Sequence, residues 1–319
     1  MKILANDGID NQGKLMLEQA GFQVDTTHIP QSELIEKLPF YDVITVRSAT
    51  QVRKELIDAC PNLKIIARGG VGMDNIDVEY AREKGISVIN TPAASSLSVA
   101  ELVFAHLFNG VRFLHDSQRK MPVEGQANFG GLKKAYAKGI ELRGKTLGII
   151  GYGRIGRETA KMGLALGMKV VVSDAFPVDT NVTLTFFNGQ SIDLTVEQAS
   201  SDEVLANSDF ISLHVPFLGK PLIGAEEIAK MKDGAGIVNA SRGGIIDETA
   251  LLDALNSGKL SFAGLDVFEN EPKPNNLLLV HPKISLSPHI GAATNEAQQR
   301  VGEELASLII QELVVQKSN

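Results

Sequence analysis

The chain has 319 residues, 44% hydrophobic and 22% charged, with 38 acidic against 31 basic side chains and a net charge of -7. That length suggests roughly two domains of about 150 residues, and the composition sets aside disordered and fibrous classes. No basic field is available for nucleic acid or anionic lipid, and the single cysteine, Cys60, excludes a disulfide framework and a Cys-rich zinc or iron–sulfur site.

The N-terminus, Met1-Lys2-Ile3-Leu4-Ala5-Asn6-Asp7, has no apolar signal region. No run reaches the ~18 apolar residues of a membrane span, so a cytoplasmic protein without a membrane partner is expected. In chain order, Val- and Ile-rich strand candidates fall at 2–5, 23–27, 43–46, 64–68 and 87–90, separated by stretches with helical spacing. The segment 98–114 (SVAELVFAHLFNGVRFL) has apolar residues all around a helix, which predicts burial, either in the core or against another subunit. Residues 121–141 contain Gly125, Gly130, Gly131 and Gly139 together with Lys133, Lys134 and Lys138, and they read as a loop. A second strand series follows at 145–150, 169–173, 210–215, 236–239, 261–265 and 284–286. Buried runs alternating with helices are the pattern of parallel βαβ units, so two doubly wound α/β domains are expected. Within the second series, Val182–Val196 reads as a β-hairpin in which Asn188-Gly189 suits a type I′ turn.

Gly151-Tyr152-Gly153-Arg154-Ile155-Gly156 is a G-x-G-x-x-G motif, weak by itself. Its context strengthens it, because it follows the strand run Thr146–Ile150 and opens a helical pattern. An acid, Asp174, ends the next strand run. Gly151 permits the tight turn, Gly153 lets a pyrophosphate approach the backbone, and Gly156 lets helix pack on strand. Asp174 can accept hydrogen bonds from an adenosine ribose diol. A 2′-phosphate beside it would need a cation, and 170–219 contains no Lys or Arg. The expected cofactor is therefore NAD rather than NADP.

Hydride transfer at a carbonyl without a metal needs an acid/base group and a cation. Of six histidines, His289 follows the run Ile284–Pro288 and sits where a strand opens into the ligand crevice. Asp266, Glu269 and Glu271 follow the preceding strand, and any of them could reach it; a carboxylate on an imidazole fixes its tautomer. Arg242 follows another strand, with Gly243-Gly244 leaving room for an anion. His28 and His281 read as loop residues, His106 and His115 as core or cap residues, and His214 as a wall of the adenine pocket.

With these residues in place, the sequence resembles the D-isomer-specific 2-hydroxyacid dehydrogenases, and within them the branch acting on 3-phosphoglycerate. The resemblance is carried by Gly151–Gly156, Ala240–Asp247, Leu265–Pro272 and Ser287–Thr294, and it covers nearly the whole chain. It implies Arg242, Glu271 and His289 as the catalytic trio. His289 would be the base, Glu271 would orient it, and Arg242 would hold the substrate carboxylate. The resemblance implies Asp266 for the nicotinamide amide, with further cofactor contacts at Arg154, Ile155, Pro216, Ala240 and Gly291. It implies a phosphorylated 2-hydroxy acid as substrate, with Gly69 and Gly70 offering N–H groups to its carboxylate. Arg47, with Lys133 or Lys134, would meet its phosphate, and Ser48 would be a further substrate contact.

The fold implied is a Rossmann-type NAD-binding domain, 98–292, inserted in a smaller flavodoxin-like substrate domain of 1–97 plus 293–319. A homodimer is expected, and no metal. Three features depart from the family pattern: Val71 where a hydroxyl residue is common, the long 182–196 hairpin, and an end at Asn319. Longer relatives append a serine-binding domain, so no serine feedback through such a domain is expected here. Two other readings share these motifs: a glyoxylate/hydroxypyruvate reductase or D-lactate-type enzyme, and an NAD-sensing, corepressor-like binding protein.

Overall fold

A computed structural model describes residues 1–318, with the backbone alone at 315–318; Asn319, counted above with the substrate domain, lies outside the described residues. The chain divides into two compact units, one formed by Met1–Ser96 with the C-terminal segment from Ala292, the other by Leu97–Gly291.

In the first unit the chain alternates strand and helix: β1 (Lys2–Ala5), α1 (Asn11–Gln19), β2 (Gln23–Asp25), α2 (Leu34–Lys37), β3 (Val43–Val46), α3 (Lys54–Asp58), β4 (Ile65–Arg68), α4 (Val78–Glu83) and β5 (Ser87–Asn90). The five strands pair in parallel in the order β2-β1-β3-β4-β5. β3 is buried along its whole length, because alternate residues face opposite layers. Ile3, Val43 and Ile65 pack on Leu305, Ile309 and Leu313 of the long C-terminal helix Asn295–Ser318. Leu4, Ile44 and Ile66 pack on Leu34, Leu38, Leu56 and Ile57. The C-terminal helix lies so close to α1 that a Cβ at Gly13 would sit 2.4 Å from the carbonyl oxygen of Gly302.

The second unit opens with α5 (Ser96–Val111) and α6 (Leu114–Ala135), which meet at a 57° bend where Phe113 adopts a left-handed φ of 57°. It continues through β6 (Thr146–Ile150), α7 (Arg154–Ala165), β7 (Lys169–Ser173), β8 (Asn181–Thr185), β9 (Ser191–Thr195), β10 (Glu197–Gln198), α8 (Ser201–Asn207) and β11 (Phe210–Leu213). The remaining elements are α9 (Ala225–Lys230), β12 (Ala235–Asn239), α10 (Glu248–Ser257), β13 (Leu260–Leu265), α11 (Asn276–Leu279) and β14 (Ile284–Leu286). Seven strands form a parallel sheet in the order β10-β7-β6-β11-β12-β13-β14, while β8 and β9 form a separate antiparallel ribbon. The order reverses direction between β6 and β11, the position at which sheets of this kind bind ligands beyond the carboxyl ends of their strands. One face of the sheet carries Val103, Phe104 and Leu107 of α5; the other is covered by Val204, Leu205, Ile228, Leu251 and Leu255.

Two local expectations are corrected. Residues 121–135, read as a loop, belong to α6. The Gly residues and Pro122 weaken helix propensity, but buried Leu132, the Asp116–Lys120 pair and the Tyr136 hydroxyl donating to Asp116 at 2.8 Å hold the helix. At Asn128, with φ of -135°, α6 kinks into two helical stretches, and that bend is what returns Tyr136 to Asp116. In the hairpin, positive φ occurs at Gly189 and not at Asn188. Phe186 N–H donates to Gln190 and Gly189 N–H donates back to Phe186, which is a type I turn followed by a left-handed glycine rather than type I′. Along α5 an exposed stripe of Leu97, Glu101, Ala105 and Phe108 remains, so burial of that helix is one-sided.

Candidate active site

Strand register aligns the ends of the second unit's sheet. Ile150 pairs with Ser173 and Leu213, Leu213 with Asn239, Asn239 with Leu265, and Leu265 with Leu286. The residues that follow, Gly151, Asp174, Ala240 to Arg242, Asp266 and Ser287 to His289, therefore share one edge of the sheet.

At β6 the turn is built for close approach. Gly151 has φ of +94°, and a Cβ there would meet the His214 carbonyl oxygen at 2.3 Å; a Cβ at Gly156 would meet that of Gly151 at 2.2 Å. At Gly153, by contrast, a Cβ would meet nothing within 4 Å, so the backbone faces open space at the N-terminus of α7. Asp174 is half-buried; its carboxylate accepts from Tyr152 N–H at 2.7 Å and Phe176 N–H at 3.2 Å, which ties the turn to the end of β7 and leaves acceptor capacity for a ribose diol. An anion-receptive helix start, an open glycine and an acid in place fit a dinucleotide. Arg154 and Pro216 are exposed beside this turn, and Ile155 is half-buried.

At the other end of the crevice, His289 Nδ1 lies 2.8 Å from Glu271 Oε2, and Glu271 Oε1 accepts from Phe268 N–H at 3.0 Å. The carboxylate is thus held from its own loop and holds the ring, so Nδ1 carries a proton and Nε2 is left as the basic atom. His289 adopts φ of +55°, a conformation that costs a non-glycine residue roughly 1–2 kcal/mol. Its N–H donates to the Asp266 carbonyl at 2.8 Å, and the next two N–H groups, of Ile290 and Gly291, donate to the Asp266 carboxylate at 2.8 Å each. Asp266, 1% exposed, is therefore the anchor of the turn that presents the imidazole.

Arg242 sits on a loop stapled at both ends. Asn239 Nδ2 donates to the Arg242 carbonyl at 2.8 Å, Asn239 Oδ1 accepts from Ser241 N–H at 3.1 Å, and the Ser241 hydroxyl donates to the Leu213 carbonyl. Ala240 is buried within that loop. Gly243 lets it meet the neighbouring one, since a Cβ would lie 1.9 Å from the Phe268 carbonyl oxygen. Glu248, 8% exposed with its pKa raised by burial, accepts from Glu269 N–H at 2.9 Å and supports the same loop from α10.

In the first unit, Arg47 and Ser48 follow β3 at the carboxyl edge. Asp7 accepts from Arg47 N–H at 2.7 Å, and Asn75 Nδ2 donates to the Arg47 carbonyl at 2.8 Å. The backbone of Arg47 is thus fixed, while its guanidinium makes no hydrogen bond or ion pair among the described residues. Gly69 N–H donates to the Val46 carbonyl at 2.9 Å and Gly70 N–H to Thr91 Oγ1 at 2.7 Å. Both donors expected for a substrate carboxylate are consumed inside the protein. The N–H groups of Val71 and Gly72, one peptide further on, make no hydrogen bond among the described residues.

Residues 104–291 match the family described as D-isomer specific 2-hydroxyacid dehydrogenase, NAD binding domain. The chain belongs to that family. It is an NAD-dependent D-2-hydroxyacid dehydrogenase. A hydroxypyruvate reductase of Thermotoga maritima is 45% identical over 318 residues, 98% of each chain. A D-3-phosphoglycerate dehydrogenase of Methanocaldococcus jannaschii is 41% identical over 97% of this chain, which spans 57% of that protein's length. Among solved structures, D-lactate dehydrogenase from Aquifex aeolicus complexed with NAD and lactic acid superposes with a TM-score of 0.75 at 29% identity, covering 100% of this chain and 98% of that one.

Three further expected site residues take their places in the folded dehydrogenase. His214, expected as an adenine-pocket wall, packs between β11 and α7: its Nε2 lies 2.8 Å from Ser212 Oγ and 3.2 Å from Thr159 Oγ1. Its Nδ1 is buried without a partner, and burial pushes the imidazole down to about 3. The ring supports the glycine turn from behind and presents neither nitrogen to a ligand. Lys134 lies exposed on the last turn of α6, in the NAD-binding unit and not in the unit that carries Arg47. Gly291, expected as a cofactor contact, spends its N–H on Asp266. Reading the dehydrogenase by sequence missed Glu248 and Ser287, whose roles depend on loops meeting across the sheet edge.

Proposed function

We propose that the enzyme interconverts D-3-phosphoglycerate and 3-phosphohydroxypyruvate, a step toward serine, with His289, Glu271 and Arg242 as its catalytic groups. The observation that carries the substrate reading is Arg47: a cation with a locked backbone and an unpartnered guanidinium at the carboxyl edge of β3. A phosphate dianion needs such a donor. The free N–H groups of Val71 and Gly72 replace Gly69 and Gly70 as the donors for the substrate carboxylate.

In the oxidative direction, His289 Nε2 takes the proton from the C2 hydroxyl. Glu271 holds Nδ1–H and stabilises the imidazolium that forms. Arg242 binds the carboxylate, and in the reductive direction it polarises the C2 carbonyl while His289 returns the proton. The Gly151 turn and Asp174 would hold NAD, which would supply the hydride acceptor for C2.

A second reading, reduction of hydroxypyruvate itself, is favoured by the end-to-end match to the Thermotoga protein. Steady-state kcat/KM with 3-phosphohydroxypyruvate, hydroxypyruvate, glyoxylate and pyruvate decides between them. At least tenfold preference for the phosphorylated acid supports the first; preference for hydroxypyruvate removes it and retains the chemistry. NADH binding without turnover on any of them points to a sensor. We further propose a cytoplasmic homodimer whose contact includes the exposed Leu97, Phe108, Leu114, Met121 and Val123 of α5 and α6; a monomer by sedimentation removes that assignment.

A further inference from the structure

α5 turns a face of Val103, Phe104 and Leu107 onto the sheet, yet between them it buries an imidazole: His106 is 2% exposed. Space for the ring is made at Gly264, two residues before Asp266, where a Cβ would lie 2.6 Å from His106 Cβ. Both ring nitrogens are occupied. Nδ1 lies 2.8 Å from Ser285 Oγ and Nε2 3.0 Å from Ser287 Oγ, two residues that point to the same side of the last strand. Ser287 Oγ in turn lies 2.6 Å from Asp266 Oδ1.

The protons along this chain have only one arrangement. The ionised Asp266 carboxylate can only accept, so the Ser287 hydroxyl spends its proton there. Ser287 Oγ is then the acceptor toward His106, and Nε2 must carry a proton. Nδ1 becomes an acceptor and takes the Ser285 proton. The result is a one-way relay, Ser285 to His106 to Ser287 to Asp266, with a neutral ring in a single tautomer. Burial outweighs the attraction of the Asp266 charge, and His115 adds opposition to protonation.

We propose that His106 is a positioning residue for the reaction: by fixing the Ser287 hydroxyl it orients Asp266, and through Asp266 the left-handed turn that aims His289. The Asp266 carboxylate receives the N–H groups of Ile290 and Gly291, and its backbone carbonyl that of His289, so a rotation of the carboxylate shifts the two peptides that follow the imidazole and the turn that aims it. The inference rests on the reading of His289 as the acid/base group.

The test combines spectroscopy and kinetics on the full-length enzyme. In the wild type, ring 15N shifts at neutral pH are expected to show His106 neutral with its proton on Nε2; an Nδ1–H tautomer or an imidazolium overturns the proposal without any variant. His106→Leu is expected to lower kcat about tenfold with KM nearly constant, and to weaken NADH binding measured by fluorescence titration. His106→Gln, which can still donate to one serine and accept from the other, is expected to restore kcat to within about threefold. On a Ser287→Ala background, His106→Leu is expected to add little, because both changes break one chain. Losses that multiply, or a lower melting temperature with wild-type kcat, refute the positioning role. Should His289→Ala retain turnover, the reading of the base fails, and the ring shifts still decide the relay.

Discussion

Two buried neutral imidazoles make the stability of this enzyme fall in mild acid by an amount the structure sets. Burial lowers His106 to about 4 and His214 to about 3 from an ordinary 6.5. The unfolded chain therefore binds more protons than the native one below pH 6.5, and unfolding free energy decreases as pH falls through that window until the native values are reached. Between pH 7.5 and 5.5 the unfolded imidazole gains most of its proton while the native one gains almost none. Each histidine then costs roughly 1–2 kcal/mol of stability, about 3 kcal/mol for the pair. The result depends little on the depth of either shift, provided that both native values lie well below 5.5. Replacing His106 by Gln keeps two hydrogen-bonding atoms and removes the titration. Urea melts followed by far-UV circular dichroism, a suitable probe in a chain with no Trp, are expected to show the variant losing roughly 1–2 kcal/mol less than the wild type over this interval. Equal losses in the two proteins would mean that His106 is charged in the native state or exposed to water, and the buried relay would be wrong.

Other perturbations act on the site itself. His289→Ala is expected to lower kcat by about 10²–10⁴ with NADH affinity and melting temperature unchanged, the range for a lost acid/base group; near-normal turnover of the folded variant removes the assignment. Arg47→Ala should reduce kcat/KM for the phosphorylated substrate by roughly 10–100-fold, the worth of a charge-assisted contact, and leave hydroxypyruvate within about threefold; equal loss on both substrates argues that Arg47 serves the fold. Gly243→Ala places a methyl group 1.9 Å from the Phe268 carbonyl oxygen, so the loops carrying Arg242 and Glu271 must part. About 1–3 kcal/mol of stability and most of kcat are expected to go with it, and a variant with wild-type melting and kcat would show that these loops do not meet.

Much of the architecture is legible in the linear chain because parallel strands buried on both faces must be apolar throughout. The runs that become β3, β6 and β12 therefore announce themselves without alternation. The glycine turn at 151–156 is legible for a related reason: Gly151 and Gly156 sit where a Cβ would strike backbone at 2.3 and 2.2 Å, which no other residue can avoid. Where local propensity and tertiary tethering conflict, reading by sequence fails. The two helical stretches of α6 form despite Pro122 and three glycines because the chain bends at Asn128 and brings Tyr136 back onto Asp116, twenty residues earlier, a pairing that is not local in sequence.

The same division separates the kinds of side chain from their partners. Composition and spacing alone determined two α/β units, a dinucleotide turn with an acid at the end of the next strand, and a histidine, an arginine and three carboxylates at strand ends. Only the folded chain shows which carboxylate does what: Glu271 meets the imidazole, while Asp266 is turned back onto two backbone N–H groups and a serine. Only the folded chain shows that Gly69 and Gly70 have spent their N–H groups, and that a histidine in an apolar helix joins two serines far along the sequence. The physical reason is that residue type sets what a group can donate, accept or bury. Hydrogen-bond donors and acceptors are shared out by register and loop packing across the sheet, and that allotment exists only in three dimensions.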